Sequence, residues 1–236
     1  GIYSILEAWV KVGSGKARDL AYIMGTAFHE TGATMRPLKE TGNADNPNPP
    51  DATVKARLTK AWKAGKLKWV KADYWSAGWF GRGYVQLTHE FNYRKAGKLL
   101  GIDRVSDPSK AMIPEVAALI LVRGMQEGWF TGKKISDYPD SFVESRRIVN
   151  GTDRAILIAG YAADFLDAIE TAEKAPATPS NSPAEPVSPT PAPKTQPTQT
   201  APASGIAGWI IAAFVVLAGV LTATWQWVEA LIERIF

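Results

Sequence analysis

The sequence has no cysteine and only two histidines among its 236 residues. Without cysteine there can be no disulfide framework, no zinc site built from thiolates and no cysteine nucleophile. His29 and His89 alone are too few for a transition-metal site made only of protein ligands. We therefore expect a protein that works with neither a metal nor a cofactor.

Several common catalytic signatures are also missing. His29 and Glu30 begin the H-E-x-x-H pattern of zinc proteases, but Ala33 stands where the second histidine is needed. There is no G-x-S-x-G motif for a nucleophilic serine. The stretch "FGRG" has too few glycines for a phosphate-binding loop and lacks the Gly-Lys-Ser/Thr ending. These absences argue against a zinc protease, a serine hydrolase of that type and a P-loop nucleotidase.

Large apolar side chains are almost absent from residues 174–204, where nine prolines occur among many Ser, Thr and Ala residues. Such a segment cannot bury enough apolar surface to offset the entropy lost on ordering. The composition therefore predicts a disordered linker, in part polyproline-like.

Charge is absent from the next 24 residues, 205–228. About 20 apolar residues cross a bilayer as a helix, and Trp209, Trp225 and Trp227 near the two ends suit the membrane interfaces. We expect a transmembrane helix here, followed by a short tail, 229–236. The chain would then be a single-pass protein of the inner membrane, with the lipid bilayer as a partner. Basic residues are balanced on the two flanks, so the orientation stays open.

The net charge of +4 belongs to the residues before 174, which contain 24 Lys and Arg against 20 Asp and Glu. We interpret the main basic cluster as the solvated face of a helix and its following loop, and we expect no nucleic-acid partner. The cluster consists of Lys55, Arg57, Lys60, Lys63, Lys66, Lys68 and Lys71.

Residues 1–173 are rich in aromatics, mixed in charge and long enough to bury a core, so we expect one globular domain there. Apolar residues at helical intervals, with proline and glycine as stop signals, predict a mainly α fold. "WFGRGYVQLTH", 79–89, predicts a small, irregular β hairpin or an extended turn. The predicted helices are an amphipathic start at 2–10, then 17–30, about 51–65, 90–100, 114–127, 141–150 and 153–174.

Two glutamates in "AFHETGATMRPLKETGN" lie ten positions apart. Glu30 falls at the end of a predicted helix, whereas Glu40 follows Pro37 in a non-helical segment, so their carboxylates can meet only across a cleft. Glycoside hydrolysis commonly uses one carboxylic acid to protonate the leaving oxygen and one carboxylate as base or nucleophile. The spacing alone leaves open whether these two glutamates form such a pair.

Three separated motifs, "AYIMGTAFHETGATMRPLKE", "WFGRGYVQLTHEFNY" and "SRRIVNGTDRA", together resemble glycoside hydrolase family 19. This family includes the plant class I chitinases and many phage and bacterial muralytic enzymes, and the resemblance is closest to the bacterial and phage endolysin-type branch. It covers residues 2–173 and leaves out the apolar carboxyl-terminal segment. The resemblance implies an α+β fold of the lysozyme-like superfamily, mainly α.

The same resemblance assigns catalytic roles. The His-Glu-Thr motif places the general acid at Glu30, and the second acidic residue of the family, the base that activates water, falls on Glu40. The hydroxyl that helps to hold this water falls on Thr88. An inverting mechanism is implied, which requires the two carboxyl groups to be roughly 6.5 to 9.5 Å apart.

Further residues are expected to bind substrate. By the resemblance, Gln86, Asn92 and Asn150 line the sugar cleft. Trp79 and Tyr84 are candidates to stack on sugar rings, as are Phe80 and Phe91, although each of these aromatics would serve equally well in the core.

Two residues are expected to support the pair. We expect His29 to form hydrogen bonds beside the catalytic groups and not to carry protons. Of the neighbouring arginines Arg146 and Arg147, we favour Arg147 as the one that orients a catalytic carboxylate.

Several functions remain compatible with the sequence. The first is a membrane-tethered, inverting glycoside hydrolase that cleaves β-1,4 linkages of an amino-sugar polymer, with peptidoglycan as the main expectation and chitin as the alternative. The second is a lytic transglycosylase, because Glu30-Thr31, Gln86 and Asn92-Tyr93 follow the order of its motifs and it needs only one catalytic carboxylate. The third is an inactive, membrane-anchored glycan-binding protein.

Overall fold

The computed structural model describes residues 1–101 and 107–174. The chain divides into two units, of which Gly1–Leu166 is compact; of the second, Asp167–Phe236, only the end of the last helix is described. The predicted linker beyond Lys174, the predicted transmembrane helix 205–228 and the tail lie outside the described residues. Within the described ranges, no helix is both long enough and apolar enough to cross a membrane.

The described chain is mainly helical with a small two-stranded sheet, which confirms the expected secondary-structure class. Its α-helices are α1 (Ile2–Val12), α2 (Ala17–Glu30), α3 (Asp51–Lys63), α4 (Glu90–Leu100), α5 (Pro114–Glu127) and α6 (Ala155–Lys174). The strands are β1 (Leu38–Lys39) and β2 (Arg82–Gly83), and short 3-10 helices occupy Pro108–Met112, Ile135–Asp137 and Glu144–Ile148.

Helix α2 is the central helix of the core. All residues from Asp19 to Ala27 are buried, so the helix is covered on every side. Gly25 allows a close approach to α6, because a Cβ at this position would lie 2.8 Å from the backbone nitrogen of Ala162. Helix α1 packs against α5 with Ile5, Leu6 and Ala8 buried. This packing holds Glu30 at the end of a rigid element.

The predicted 79–89 hairpin differs from the observed pairing. β2 pairs antiparallel with β1, in the register Leu38 to Gly83 and Lys39 to Arg82, and only a single bridge, Arg82 to Leu87, lies within the predicted segment. The amide of Glu40 also donates to the carbonyl of Gly81 at 2.7 Å. The pairing therefore brings the segment that carries Glu40 against the segment that leads to Thr88.

Asp51, the first residue of α3, stabilises this strand pair through its side chain. Pro50 occupies the N-cap position, and no side-chain capping bond is present. The Asp51 carboxylate instead pairs with Lys39 of β1 at 2.6 Å and with Arg82 of β2 at 3.1 Å. Because Arg82 is only 2% exposed, its charge requires this partner.

The predicted helix 141–150 is only partly formed. The structure has a 3-10 helix at Glu144–Ile148, and α6 begins at Ala155. The Arg146 guanidinium points into the protein and its Nε donates to the carbonyl of Asp153 at 2.9 Å. The segment thus delivers a buried cation to the interior.

Candidate active site

A cavity of about 720 Å³ opens in the first compact unit. Its lining comes from four parts of the chain: Glu30 at the end of α2, residues 69–74, four residues between Val85 and His89, and Val149 with Asn150. Of the residues that the sequence predicts for the site, Glu30, Gln86, Thr88 and Asn150 line this cavity.

Glu30 is held by an ion pair. Nη1 of Arg146 donates to Oε1 of Glu30 at 2.8 Å, and the side chains of Arg146 and Glu30 are 2% and 19% exposed. A guanidinium buried in this way cannot move far without losing its partner, so it fixes the direction of the Glu30 carboxyl group.

The arginine that orients Glu30 is therefore Arg146. The expectation that Arg147 orients a catalytic carboxylate is wrong. Arg147 is 46% exposed, and its Nε pairs with Glu144 at 2.6 Å. The two arginines are adjacent in a short 3-10 helix, so their side chains leave in different directions, and the sequence pattern does not reveal which one is buried.

Glu40 follows β1 directly and is held by neutral donors. The hydroxyl of Tyr74 donates to Oε1 of Glu40 at 2.7 Å, and the amide of Gly81 donates to Oε2 at 2.8 Å. Tyr74 also lines the cavity, so Glu40 is connected to the cavity lining through this side chain. Sequence reasoning missed Tyr74, which lies in a segment without helix or strand and 34 residues away from Glu40.

The residues of the "QLTHEFN" stretch have different tasks. The Gln86 amide donates to the carbonyl of Leu38 at 3.0 Å and to that of Gly83 at 3.3 Å, so it also braces the two strands. Thr88 lines the cavity. Asn92 does not line it, but its amide donates to the carbonyl of Thr88 at 2.9 Å and supports that residue from α4.

Two of the expected sugar-stacking residues have a different environment. Tyr84 is fully buried and its hydroxyl donates to the carbonyl of Gly1 at 3.1 Å, so it is a core residue. Trp79 does not line the cavity and packs against Tyr93 with ring centroids 5.4 Å apart. The exposed aromatic in the cavity lining is Trp69, whose exposure is 75%.

Phe80 and Phe91, the other two aromatics, also lie outside the cavity lining. Phe80 is fully buried, whereas Phe91 is 73% exposed. Neither ring is therefore placed to stack on a sugar inside the cavity.

His29 lies beside the site and is not part of the cavity lining. Its ring faces Tyr161 at a centroid distance of 6.4 Å. Burial lowers the pKa of His29. The negative charge of Glu30 acts to raise this pKa, and the positive charge of Arg146 acts to lower it. A neutral imidazole next to the Glu30–Arg146 pair adds no further charge to the cleft. In the described residues, no group of three or more histidine or acidic side chains is placed to hold a metal ion.

The comparisons with known proteins found a weak similarity to a chitinase. No family model matches the chain. Chitinase 11 of Oryza sativa subsp. japonica is 26% identical over 140 residues, which make up 59% of this chain and 46% of that protein. The chain thus spans about half the length of the curated relative that it matches. The similarity is weak, and it does not indicate the endolysin branch.

Two solved structures are similar to the chain. The crystal structure of chitinase C from Streptomyces griseus HUT6037 has a TM-score of 0.47 and 21% identity, over 70% of this chain and 66% of that one. A mutant of chitinase C has a TM-score of 0.45 and 23% identity, over 70% of this chain and 80% of that one.

Proposed function

We propose that the chain is a chitinase-like glycoside hydrolase that cleaves β-1,4 linkages in a polymer of amino sugars. The observation that carries the proposal is the arrangement of two carboxylates on separate elements, one in a cavity and one tied to its lining. Glu30 is oriented by Arg146, and Glu40 by Tyr74 and Gly81. The weak similarity to a chitinase supports the same reaction class.

In the proposed reaction, Glu30 gives its proton to the glycosidic oxygen as the bond from that oxygen to the anomeric carbon breaks. Glu40 and Thr88 hold a water molecule on the opposite face of the sugar. Glu40 accepts a proton from this water, and the oxygen of the water forms the new bond to the anomeric carbon. Oε1 of Glu30 accepts from Arg146, and no described residue donates to Oε2, so Oε2 is the oxygen assigned to the substrate. The product should have the inverted anomeric configuration.

Chitin is the first substrate to test, because the curated relative is a chitinase. Peptidoglycan is the second candidate, and one observation favours it. Lys66, Lys68 and Lys71 are exposed, and Lys71 lines the cavity. Peptidoglycan carries carboxylates on its peptides, whereas chitin is neutral, so only the former gains from these cations.

The test uses the full chain in detergent micelles with chitin oligomers and with purified cell-wall sacculi. We expect new reducing ends from at least one polymer, and nuclear magnetic resonance of the first product should show the inverted anomer. Glu30→Gln is the matched control, because it keeps the shape of the side chain and removes the acid. If neither polymer yields products beyond those of this control, the proposed activity is wrong.

Glu40→Gln separates the hydrolase from a lytic transglycosylase. An inverting hydrolase needs Glu40 and loses most of its turnover with this variant. Unchanged turnover, together with 1,6-anhydro products, would instead identify a transglycosylase that depends on Glu30 alone. Binding of the polymer without any products would point to the inactive glycan-binding protein.

We also propose that residues 205–228 anchor the enzyme in a membrane, with 174–204 as the linker. The proposal is supported by the 24 uncharged residues and their flanking tryptophans. Membrane fractionation of cells that express the full chain, compared with a chain ending at Lys174, tests it. Equal solubility of both chains would contradict the anchor, and protease protection of vesicles that hold the full chain would give its orientation.

A further inference from the structure

Tyr74 lies in the segment that joins α3 to β2, which contains neither helix nor strand. This segment contributes residues 69–74 to the cavity lining, so it forms much of one side of the site. A segment without regular hydrogen bonding needs side-chain contacts to hold a defined position. Tyr74 supplies such a contact, and its partner is the carboxylate of Glu40.

The contacts of Glu40 use both carboxylate oxygens once. Oε1 accepts from the Tyr74 hydroxyl at 2.7 Å, and Oε2 accepts from the Gly81 amide at 2.8 Å. An ionised carboxylate has about four acceptor positions, so each oxygen keeps capacity for a further donor such as a water molecule. Two bonds on two oxygens also set the rotation of the carboxylate plane, which one bond would not.

The ring of Tyr74 is itself fixed by its neighbours. It makes edge contacts with Trp75, at a centroid distance of 5.1 Å, and with His89, at 4.8 Å. Trp75 is fully buried, and its Nε1 donates to the hydroxyl of Thr59 at 2.9 Å. His89 follows Thr88 directly, so the Tyr74 ring lies between Glu40 and the residue next to Thr88.

We propose that Tyr74 is a positioning residue, which holds the Glu40 carboxylate in the orientation needed to take a proton from the attacking water. This inference rests on the proposed function, because it assigns Tyr74 a role in the same reaction. The hydroxyl acts through Glu40 and does not exchange a proton with the substrate. Its removal should therefore slow turnover and leave substrate binding almost unchanged.

The ionisation of Tyr74 agrees with a permanent donor. Burial raises the pKa of the Tyr74 phenol, and the hydrogen bond to Glu40 and the charge of Glu40 raise it further. The phenol thus keeps its proton throughout the pH range in which an enzyme of this kind works. The bond to Glu40 can be lost only if the side chain moves or the hydroxyl is removed.

The first test is Tyr74→Phe, which keeps the ring and removes the hydroxyl. We expect kcat to fall about tenfold, the effect of one hydrogen bond to a charged group, with KM changed less than about twofold. Tyr84→Phe is the control, because it also removes a tyrosine hydrogen bond but from a core residue that faces Gly1. The control should keep the kcat of the wild type.

Two kinetic outcomes would overturn the inference. One is a wild-type kcat for Y74F, and the other is a rise in KM of the same size as the fall in kcat, which would indicate a general distortion of the cleft. If the wild type itself cleaves neither polymer, the proposed function is wrong and the role of Tyr74 in it falls as well, so the two failures are distinguishable.

A second measurement does not need activity. Urea unfolding of Tyr74→Phe, Glu40→Ala and the double variant forms a double-mutant cycle. If the hydroxyl and the carboxylate interact in solution, the effects on the free energy of unfolding are not additive, because the second change removes a bond already lost. Additive effects would overturn the inference.

Discussion

The two candidate catalytic carboxylates are held in opposite ways. Glu30 ends a helix whose core residues are buried, and its partner is the buried charge of Arg146. Glu40 follows a two-residue strand, and its partners are a phenol and a backbone amide, both neutral. The orientation of Glu30 therefore depends on an ion pair with a buried arginine. The orientation of Glu40 depends on how two irregular segments, those that carry Tyr74 and Gly81, are aligned with it.

The strongest change on the Glu30 side is Glu30→Gln. It preserves the volume of the side chain and removes the transferable proton. We expect kcat to fall at least about 100-fold, as is usual when a general acid is lost. Reducing-end assays with the full chain measure this effect, and circular dichroism serves as the control for folding. Residual activity above about a tenth of the wild type would assign the proton to another group.

The partner of Glu30 is tested with two adjacent arginines. Arg146→Met removes a buried cation and should lower the free energy of unfolding by about 1–3 kcal/mol, less than for a fully buried pair because Glu30 is partly exposed. Arg147→Met is the matched control, since its pair with Glu144 is exposed to solvent and should contribute much less to stability. Urea unfolding measures both, and equal losses would show that burial does not distinguish the two pairs.

The strand pair that positions Glu40 is tested by the pH dependence of stability, because the Asp51 carboxylate pairs with both of its strands. Burial alone would raise the pKa of Asp51, but the bonds from Lys39 and Arg82 outweigh it and hold the pKa below its usual value. The stabilisation is therefore present above the unfolded-state pKa, near 4, and is lost as the pH falls through the lower folded-state pKa. Asp51 is 48% exposed, so the effect should be about 1 kcal/mol or less.

Asp51→Asn is the variant for this test. Unfolding at pH 7 and at pH 3 should show a smaller difference for D51N than for the wild type. The same pH dependence in both proteins would mean that the ion pairs do not stabilise the strand pair.

The smallest expected effect concerns Lys71, which lies in the same segment as Tyr74 and also lines the cavity. Lys71→Glu should reduce turnover of sacculi about two- to threefold at low salt, and the reduction should shrink as salt is added. Chitin oligomers carry no charge and should be cleaved at the wild-type rate. Lys11→Glu on α1 is the control for net charge. An equal loss with both polymers would argue against recognition of carboxylates.

The helices could be read from local signals. Pro114 begins α5, and Gly101 and Gly128 end α4 and α5 with positive φ angles of 64° and 75°. These signals depend only on residues close in sequence, so the bounds of α2, α4 and α5 agree with those predicted. The predicted extent of the helix at 141–150 was wrong. This segment contains Arg146, whose burial depends on a partner 116 residues away.

The candidate site could be predicted only in part for the same reason. Motif residues such as Glu30 and Thr88 are recognisable by type, and the structure brings both to one cavity. Tyr84 and Tyr74 show the limit: one is a core residue beside a glycine-rich turn, and the other belongs to an irregular segment with no period to read. Their surroundings are decided by long-range packing.

The pairing of β1 with β2 involves only two residues on each strand. Side chains of a strand alternate between faces, so a shift by a single residue would turn the Glu40 carboxylate to the opposite side and away from the hydroxyl of Tyr74. The register of this strand pair thus determines whether Glu40, which lies just outside it, can reach Tyr74. Hydrogen exchange of the Glu40 amide, which donates to the carbonyl of Gly81, would measure how often this strand pair opens.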